Sequence, residues 1–245
     1  MNNEEQWLLK EKYGGEKSEG FFADLERLKA GEPLAYVIGS IPFLGTTIYL
    51  DSHPLIPRPE TEYWVEKAIA DIKGAGAKHP RILDLCAGSG CIGVAVAKAL
   101  PESHITFGEL SKAHLPTIAL NLQENDIDCT RYQVFQSDLF ENISGTFDYI
   151  LSNPPYIDPA LDRTEPSVSN FEPSEALYGG KAGLELIEKI LTAASAHLNP
   201  NGVLYIEHEP EQVEEIATLA KAHGLVATTH HDQYEVSRYT TFTAV

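Results

Sequence analysis

The sequence predicts an α/β fold in which helices cover both faces of a doubly wound sheet. Between residues 81 and 207, short apolar runs alternate with longer amphipathic stretches, a pattern typical of strands joined by crossover helices. Glycine-rich or acidic segments follow several of these runs, as expected where strands end at a ligand-binding edge. A chain of 245 residues accommodates one full domain of this class with a small appendage.

The appendage is predicted to be residues 1–60, with the main domain at 61–245. Gly14 and Gly15 interrupt a helical pattern, whose apolar residues are expected to form one stripe against the main domain: Trp7, Leu8, Phe21, Phe22, Leu25 and Leu28. Two runs rich in β-branched residues, 36–38 and 46–50, predict a hairpin. The stiff segment Pro57-Arg58-Pro59 follows, and Thr61 is expected to cap a helix that extends through Lys73.

A small-residue turn joins the first strand of the main domain to its helix. The turn contains Cys86, Ala87, Gly88, Ser89 and Gly90. Its glycines allow a ligand to approach the backbone closely, and the helix that follows offers free N–H groups. No Gly-Lys-Ser/Thr sequence follows, so the turn is not a Walker loop.

The charge at the end of this strand bears on the ligand. Asp84 would repel a pyrophosphate, which favours a cationic ligand such as S-adenosylmethionine over a dinucleotide. An ordinary tight strand-to-helix turn has the same composition, so the motif needs support from the rest of the chain.

Two further carboxylates follow the next predicted strands. Glu109 ends the run that begins at His104, about twenty residues past the glycine turn, where an acidic side chain accepts hydrogen bonds from ribose hydroxyls. Asp138 lies just beyond the next apolar run and is expected to accept from the adenine amine, with Leu139 packing on the ring. Each carboxylate alone also fits a solvated strand end or a helix cap. Their shared position at successive strand ends favours a single cofactor site.

The segment Asn153-Pro154-Pro155-Tyr156 follows a buried-strand pattern at 147–152. The prolines stiffen the loop and leave its carbonyls free to accept hydrogen bonds, and the Asn side chain adds one acceptor and two donors. The Tyr ring supplies a flat apolar face. These groups suit a planar acceptor that carries an NH₂, either an amide or a nucleobase. They predict an amino-directed methyltransferase that needs no metal, whereas an ordinary proline-rich turn is the alternative.

From about Gly31 to its end, the chain resembles the peptide chain release factor glutamine methyltransferases of the HemK/PrmC type. The matching segments include 32–39, 55–62, 84–90, 137–140 and 153–157. The resemblance implies a Rossmann-like class I S-adenosylmethionine-dependent methyltransferase with a mixed seven-stranded sheet. It also implies methylation of the side-chain amide nitrogen of the Gln in the Gly-Gly-Gln motif of a release factor. Arg58, within the family-specific segment 57–62, is expected to help shape the substrate pocket.

The sequence departs from the family pattern at three places. Only about thirty residues precede Gly31, whereas the family's helical N-terminal domain runs to about seventy. Cys86-Ala87-Gly88 stands where the family has Gly-Thr-Gly, and Glu109 replaces the usual Asp. The first departure bears on how the protein substrate docks. The other two are compatible with cofactor binding, because Ala87 is small and Glu109 reaches the same hydroxyls with one more methylene.

Net charge, cysteine spacing and the length of apolar runs limit the kinds of partner that the protein is expected to have. The net charge of −18 argues against a protein that grips a phosphate backbone and is compatible with a basic protein partner. An acidic surface that merely keeps the protein in solution fits the same charge at least as well. Cys86, Cys91 and Cys129 have no metal-ligand spacing. No apolar run approaches the ~20 residues of a membrane span, and the acidic start lacks a signal-peptide pattern. We therefore expect a cytoplasmic monomer without direct nucleic-acid or membrane contact.

Two other functions stay open from the sequence. One is an amino-directed methyltransferase acting on adenine or guanine in nucleic acid, which would use the same tetrapeptide on a flipped base. The other is a noncatalytic S-adenosylmethionine-binding or assembly module that retained the fold. The acidic charge argues against the first, and the intact Asn153 and Tyr156 argue against the second.

Overall fold

A computed structural model of the protein describes residues 1–161 and 164–244. A seven-stranded sheet lies between layers of helices, and a two-stranded hairpin and short helices precede it. The helices are α1 (Asn3–Glu11), α2 (Glu19–Lys29), α3 (Leu34–Ile38), α4 (Pro59–Ala75), α5 (Cys91–Ala99), α6 (Leu115–Glu124), α7 (Pro166–Ser169), α8 (Glu185–His197) and α9 (Val213–Ala222). The strands are β1 (Ser40–Phe43), β2 (Thr46–Tyr49), β3 (Arg81–Leu85), β4 (His104–Glu109), β5 (Tyr132–Gln136), β6 (Phe147–Ser152), β7 (Leu198–Glu207), β8 (Leu225–His231) and β9 (Ser237–Ala244).

The sheet is mixed, with strand order β5-β4-β3-β6-β7-β9-β8. The first five strands are parallel, and β9 runs antiparallel to both β7 and β8. The buried Asp232 organises the turn between β8 and β9, because its carboxylate accepts from the backbone N–H groups of Tyr234 and Val236 and from Arg238. The α/β fold class and the mixed seven-stranded sheet are confirmed. The carboxyl ends of β3, β4, β5 and β6 therefore meet at one edge.

Burial on both faces explains why the central strands are mostly apolar. Along β3, Ile82 joins the core formed with α4, α5 and α6, whereas Leu83 joins the core formed with α8 and α9. Both side chains are fully buried. This two-sided packing fixes the strand ends, and therefore the loops that follow them.

The first predicted strand of the hairpin is wrong, since residues 36–38 belong to helix α3. Pro33 precedes this helix, and Gly39 ends it in the left-handed conformation at φ +95°. Tyr36 and Val37 are buried, so tertiary packing overrides their β propensity. The hairpin begins only at β1, which pairs antiparallel with β2.

The single apolar stripe predicted for the amino-terminal segment is also incorrect. Leu8 and Phe21 are buried together with Val37 of α3, but Trp7 and Phe22 are 57% and 52% exposed. The reason is that α1 and α2 are separate helices, which both pack on α3 and turn their remaining aromatic side chains to solvent. The division of the chain at residue 60 stays a prediction.

Helix α4 begins upstream of its predicted cap. Pro59 occupies the first turn, where its missing N–H costs nothing, so Thr61 lies inside the helix. The Thr61 side chain is buried and donates its hydroxyl hydrogen to Glu207, 2.7 Å away, rather than capping the helix. This contact ties the start of α4 to the end of β7.

Candidate active site

A cavity of about 360 Å³ lies at the carboxyl ends of the parallel strands. It brings together nine of the residues predicted for the site: Cys86, Ala87, Gly88, Ser89, Glu109, Asp138, Leu139, Asn153 and Pro155. A more open cleft of about 440 Å³ lies at the opposite end of β3, around residues 76–80 and 100–103, and includes none of them. The chemistry-bearing side chains therefore gather at the edge where ligands of such sheets bind.

The glycine turn leaves room at the cavity. Gly88 adopts φ +55°, and a Cβ placed there would have no atom within 4 Å, so this position faces open space. Gly90 adopts φ +78°, and a Cβ there would lie 3.2 Å from Ile118. Cys86, although not a glycine, also has a positive φ, +62°, a strained conformation of the kind found at functional sites.

Asp84 lies behind this turn rather than on the cavity wall. Its side chain is fully buried, and Oδ2 accepts a hydrogen bond of 2.8 Å from the Gly93 backbone N–H. Oδ1 is without a hydrogen-bond partner among the described residues. Burial raises the pKa of Asp84 to about 8, and the nearby Glu109 charge adds to the rise, while the Gly93 N–H opposes it. A direct contact between Asp84 and a bound cation stays a prediction.

The Glu109 carboxylate accepts hydrogen bonds from the backbone of two residues that line the cavity. Its Oε2 accepts from the Gly88 N–H at 2.7 Å, and its Oε1 accepts from the Ser111 N–H at 2.8 Å. Each carboxylate oxygen has a further lone pair, so hydrogen bonds from ribose hydroxyls are compatible with this arrangement. Glu109 can therefore still accept hydrogen bonds from a ribose, as predicted from the sequence.

Asp138 and Leu139 line the same cavity beyond β5. Leu139 adopts φ +46°, and the Ser137 hydroxyl stabilises this turn by donating to the Leu139 carbonyl at 2.7 Å. The predicted contacts of these two residues with an adenine ring remain predictions, but their positions beside Glu109 fit a single nucleoside.

Asn153 stands between two cavities. Besides the larger cavity, it lines a second one of about 210 Å³, together with Arg58, Pro154, Tyr156 and residues of the segment 164–177. Leu55, Asn153 and Ala176 are common to both. The Asn153 Nδ2 donates to Thr61 Oγ1 at 3.2 Å. Asn153 therefore lies at the junction of the two cavities.

Tyr156 is anchored through its hydroxyl. The phenol donates to Glu207 Oε1 at 2.9 Å. Burial raises the pKa of Tyr156 well above its usual value, and the Glu207 carboxylate adds to the rise. The phenol is therefore held protonated, and Tyr156 presents a fixed neutral ring at the second cavity.

Arg58 connects the proline segment to the far side of the second cavity. Its Nη2 lies 2.6 Å from Glu172 Oε1, and the buried Glu172 also accepts from the Ile56 N–H at 3.0 Å. The guanidinium thus neutralises a carboxylate removed from water and fixes the segment around residue 172. Whether Arg58 also contacts substrate stays a prediction.

Sequence reasoning missed three residues that organise the site: Thr61, Gly93 and Glu207. Glu207 ends strand β7, and a carboxylate at a strand end was the same signal that singled out Glu109. Gly93 lies inside α5, where a Cβ would come within 2.2 Å of the Phe107 ring. A glycine three positions into the helix after the turn could have signalled this close approach of helix and sheet.

The three cysteines are free. Cys86 and Cys91 line the larger cavity, and burial raises the pKa of the Cys86 thiol to about 12, so it stays protonated at neutral pH. Within residues 1–161 and 164–244, no cluster of His, Cys, Asp or Glu side chains has the arrangement of a metal site. None of the described helices combines the length and the apolar character that crossing a bilayer requires.

Comparison with known proteins gives the family. The methyltransferase small domain model matches residues 71–169. A release factor glutamine methyltransferase of Rhodopirellula baltica is 38% identical over 209 residues, which cover 83% of this chain and 70% of the relative. The chain belongs to the release factor glutamine methyltransferase family. Another member, from Lactococcus lactis, is 35% identical over 210 residues and is covered over 75% of its length.

Solved structures support the fold of this family member. A ribosomal protein L11 methylase from Lactobacillus delbrueckii superposes with a TM-score of 0.58 at 14% identity, covering 78% of this chain and 81% of that one. A T. thermophilus 16S rRNA methyltransferase, solved with AdoMet and guanosine, superposes with a TM-score of 0.57 at 20% identity. The match covers 83% of this chain and 48% of that one. At these identities the likeness shows the fold alone. The family and the class I methyltransferase fold confirm the resemblance seen in the sequence, and S-adenosylmethionine is the cofactor of such enzymes.

Proposed function

We propose that the protein transfers the methyl group of S-adenosylmethionine to the side-chain amide nitrogen of the Gln in the Gly-Gly-Gln motif of a peptide chain release factor, with release of S-adenosylhomocysteine and of one amide proton to solvent. The observation that carries this proposal is the position of Asn153 at the junction of the two cavities. Membership in the release factor glutamine methyltransferase family supports the choice of substrate.

The larger cavity fits the cofactor. Gly88 leaves space where a side chain would intrude, Glu109 offers carboxylate lone pairs, and Asp138 with Leu139 provides a polar and an apolar contact for a base. When bound, the cofactor supplies an electrophilic methyl group on a sulfonium. The acidic residues around this cavity also suit the positive charge that such a ligand carries.

The smaller cavity fits the acceptor amide. An amide nitrogen is a poor nucleophile because its lone pair is delocalised, and its protons are too weakly acidic for a side-chain base to remove. The Asn153 Oδ1 and the Pro154 carbonyl are therefore assigned to accept the two N–H groups and aim the nitrogen. Tyr156 is assigned to pack on the amide plane, and Pro155 keeps the loop rigid. Alignment of this kind lowers the activation barrier by up to ~7–11 kcal/mol.

The protein substrate is proposed to dock on the amino-terminal helices and the hairpin within residues 1–60. The chain's net charge of −18 favours a basic docking surface on the partner and disfavours direct nucleic-acid contact. Because release factors act on ribosomes, the proposed reaction takes place in the cytoplasm, and we propose that a monomer carries it out.

Mass spectrometry of a release factor incubated with the enzyme and S-adenosylmethionine tests the activity. A gain of one methyl group on the Gly-Gly-Gln glutamine is expected. Asn153→Ala should bind the cofactor almost normally yet lose most of kcat, because it removes orientation of the acceptor and not of the donor. Gln123→Ala, which removes a carboxamide at an exposed position on α6, is the matched control and should retain full activity. Methylation of RNA or DNA bases together with an unmodified glutamine would refute the proposal.

A further inference from the structure

A buried carboxylate at the end of β7 collects hydrogen bonds from three side chains of the site. Glu207 is 1% exposed. Its Oε2 accepts from Thr61 at 2.7 Å and from the Trp64 indole N–H at 2.6 Å, while its Oε1 accepts from Tyr156 at 2.9 Å. Burial raises the pKa of Glu207, and these three donors oppose the rise. Glu207 is not among the groups assigned above to the cofactor or to the acceptor amide.

The direction of these hydrogen bonds is dictated by chemistry. The indole N–H only donates, so the Glu207 oxygen it contacts must accept. The Thr61 hydroxyl has a single hydrogen, and that hydrogen is committed to the same oxygen. Toward Asn153, Thr61 can therefore only accept, and it takes a hydrogen bond from Nδ2 at 3.2 Å.

This polarity admits one orientation of the Asn153 amide. If the amide were turned over, its Oδ1 would face the Thr61 oxygen, and two acceptors would meet in a buried space without a hydrogen between them. Such an unsatisfied pair of buried acceptors is strongly unfavourable. The preferred orientation therefore turns Nδ2 toward Thr61 and leaves Oδ1 for the junction of the two cavities.

We propose that Thr61, polarised by Glu207, is a positioning residue for methyl transfer that fixes the Asn153 amide with its carbonyl oxygen toward the acceptor. The consequence for the reaction rests on the proposed function, whereas the orientation itself does not. Glu207 holds Tyr156 at the same time, so one carboxylate sets both the acceptor oxygen and the ring. Neither Thr61 nor Glu207 touches the reacting atoms in this assignment.

Paired substitutions at residue 61 separate this role from simple packing. Thr61→Val keeps the side chain's shape but removes the acceptor, whereas Thr61→Ser keeps the hydroxyl. Thr240→Val is the matched control, because Thr240 is also a buried threonine, but its hydroxyl forms hydrogen bonds with His208 and Thr229 and not with the groups assigned to the site. All variants are prepared as the full chain, and thermal unfolding verifies that they are folded.

The first readout is water exchange of the Asn153 side-chain amide protons, measured by NMR and identified by the loss of their signals in Asn153→Ala. We expect slow exchange in the wild type, in Thr61→Ser and in Thr240→Val, and faster exchange in Thr61→Val. This measurement needs neither cofactor nor substrate. Exchange as slow in Thr61→Val as in the wild type overturns the proposal.

The second readout is methyl transfer to the release factor. Thr61→Val should lower kcat by about tenfold or more, because misplaced groups lose the benefit of alignment, while cofactor affinity changes less than about twofold. In the Asn153→Ala background the same change should have almost no further effect, since the two residues act as a unit. Additive losses, or full activity in Thr61→Val, overturn the proposal. A wild-type enzyme that leaves the glutamine unmodified refutes the proposed function instead, and the exchange measurement still decides the orientation.

Discussion

Gly93→Ala is expected to destabilise the protein and weaken cofactor binding, although alanine is the better helix former. The added Cβ would lie 2.2 Å and 2.6 Å from two carbons of the Phe107 ring and 3.0 Å from Asp84 Oδ2. Phe107 is fully buried and pairs directly with Asp84 in the sheet. The ring therefore has no free space into which it can retreat.

The magnitude follows from two opposing terms. Carbon atoms in contact are normally about 3.5–4.0 Å apart, so helix α5 or the ring must shift by about 1 Å or more. Overpacking of this kind costs roughly 1–3 kcal/mol, while the change from glycine to alanine in a helix contributes at most about 1 kcal/mol in the other direction. We expect a net loss of about 1–2 kcal/mol and a displaced Gly93 N–H to Asp84 contact.

Urea unfolding of Gly93→Ala and Gly74→Ala gives a matched comparison. Gly74 also lies in a helix, α4, but a Cβ there would meet no atom within 4 Å, so this variant should gain about 0.5–1 kcal/mol. Calorimetric titration with S-adenosylmethionine should show weaker binding only for Gly93→Ala. If both variants gain stability, or if Gly93→Ala binds the cofactor normally, the close approach of α5 to the sheet does not support the turn.

Three further predictions concern charged groups of the site. Glu109→Ala should weaken S-adenosylmethionine binding by about 1–3 kcal/mol in calorimetry; unchanged affinity would remove Glu109 from the ribose role. Because the folded-state pKa of Asp84 is raised to about 8, its contribution to the free energy of unfolding should be complete below about pH 4 and disappear as the pH rises to about 8. Asp84→Asn still offers Gly93 an acceptor, so its free energy of unfolding in urea should depend less on pH than that of the wild type. An equal pH dependence in both proteins would contradict the raised pKa. Arg58→Ala leaves the buried Glu172 carboxylate without its cation, so kinetics should show a raised KM for the release factor, and unchanged turnover and KM would indicate that Arg58 only starts the helix.

The strands and the loops that follow them were predictable because buried strands require apolar residues, and this pattern is visible in the sequence. Strand β6 spans the predicted residues, Phe147–Ser152, since this run is apolar apart from Asp148 and the terminal Ser152 and most of it is buried. Asn153 and Glu109 then lie at strand ends, and the cavity confirms that these ends meet. The glycine turn was equally visible, because Gly88 and Gly90 supply positive φ angles.

The errors arose where long-range packing decides. Residues 36–38 have β propensity, but Gly39 and burial of Tyr36 make them helical. The role of Thr61 depends on Glu207, which lies 146 positions away in the chain. No local pattern predicts such a contact, so Thr61 was assigned to the nearest helix start instead.

The place of β9 in the sheet constrains the order in which the fold assembles. Strand β8 precedes β9 in the chain, yet it touches the rest of the sheet only through β9. When β8 is first synthesised, it can therefore pack on helix α9 but has no strand to pair with. The short turn held by Asp232 favours an early local hairpin, since closing a short loop takes far less time than long-range pairing. The two strands would then join β7 as a preassembled unit, and this last step would complete the wall that carries Glu207.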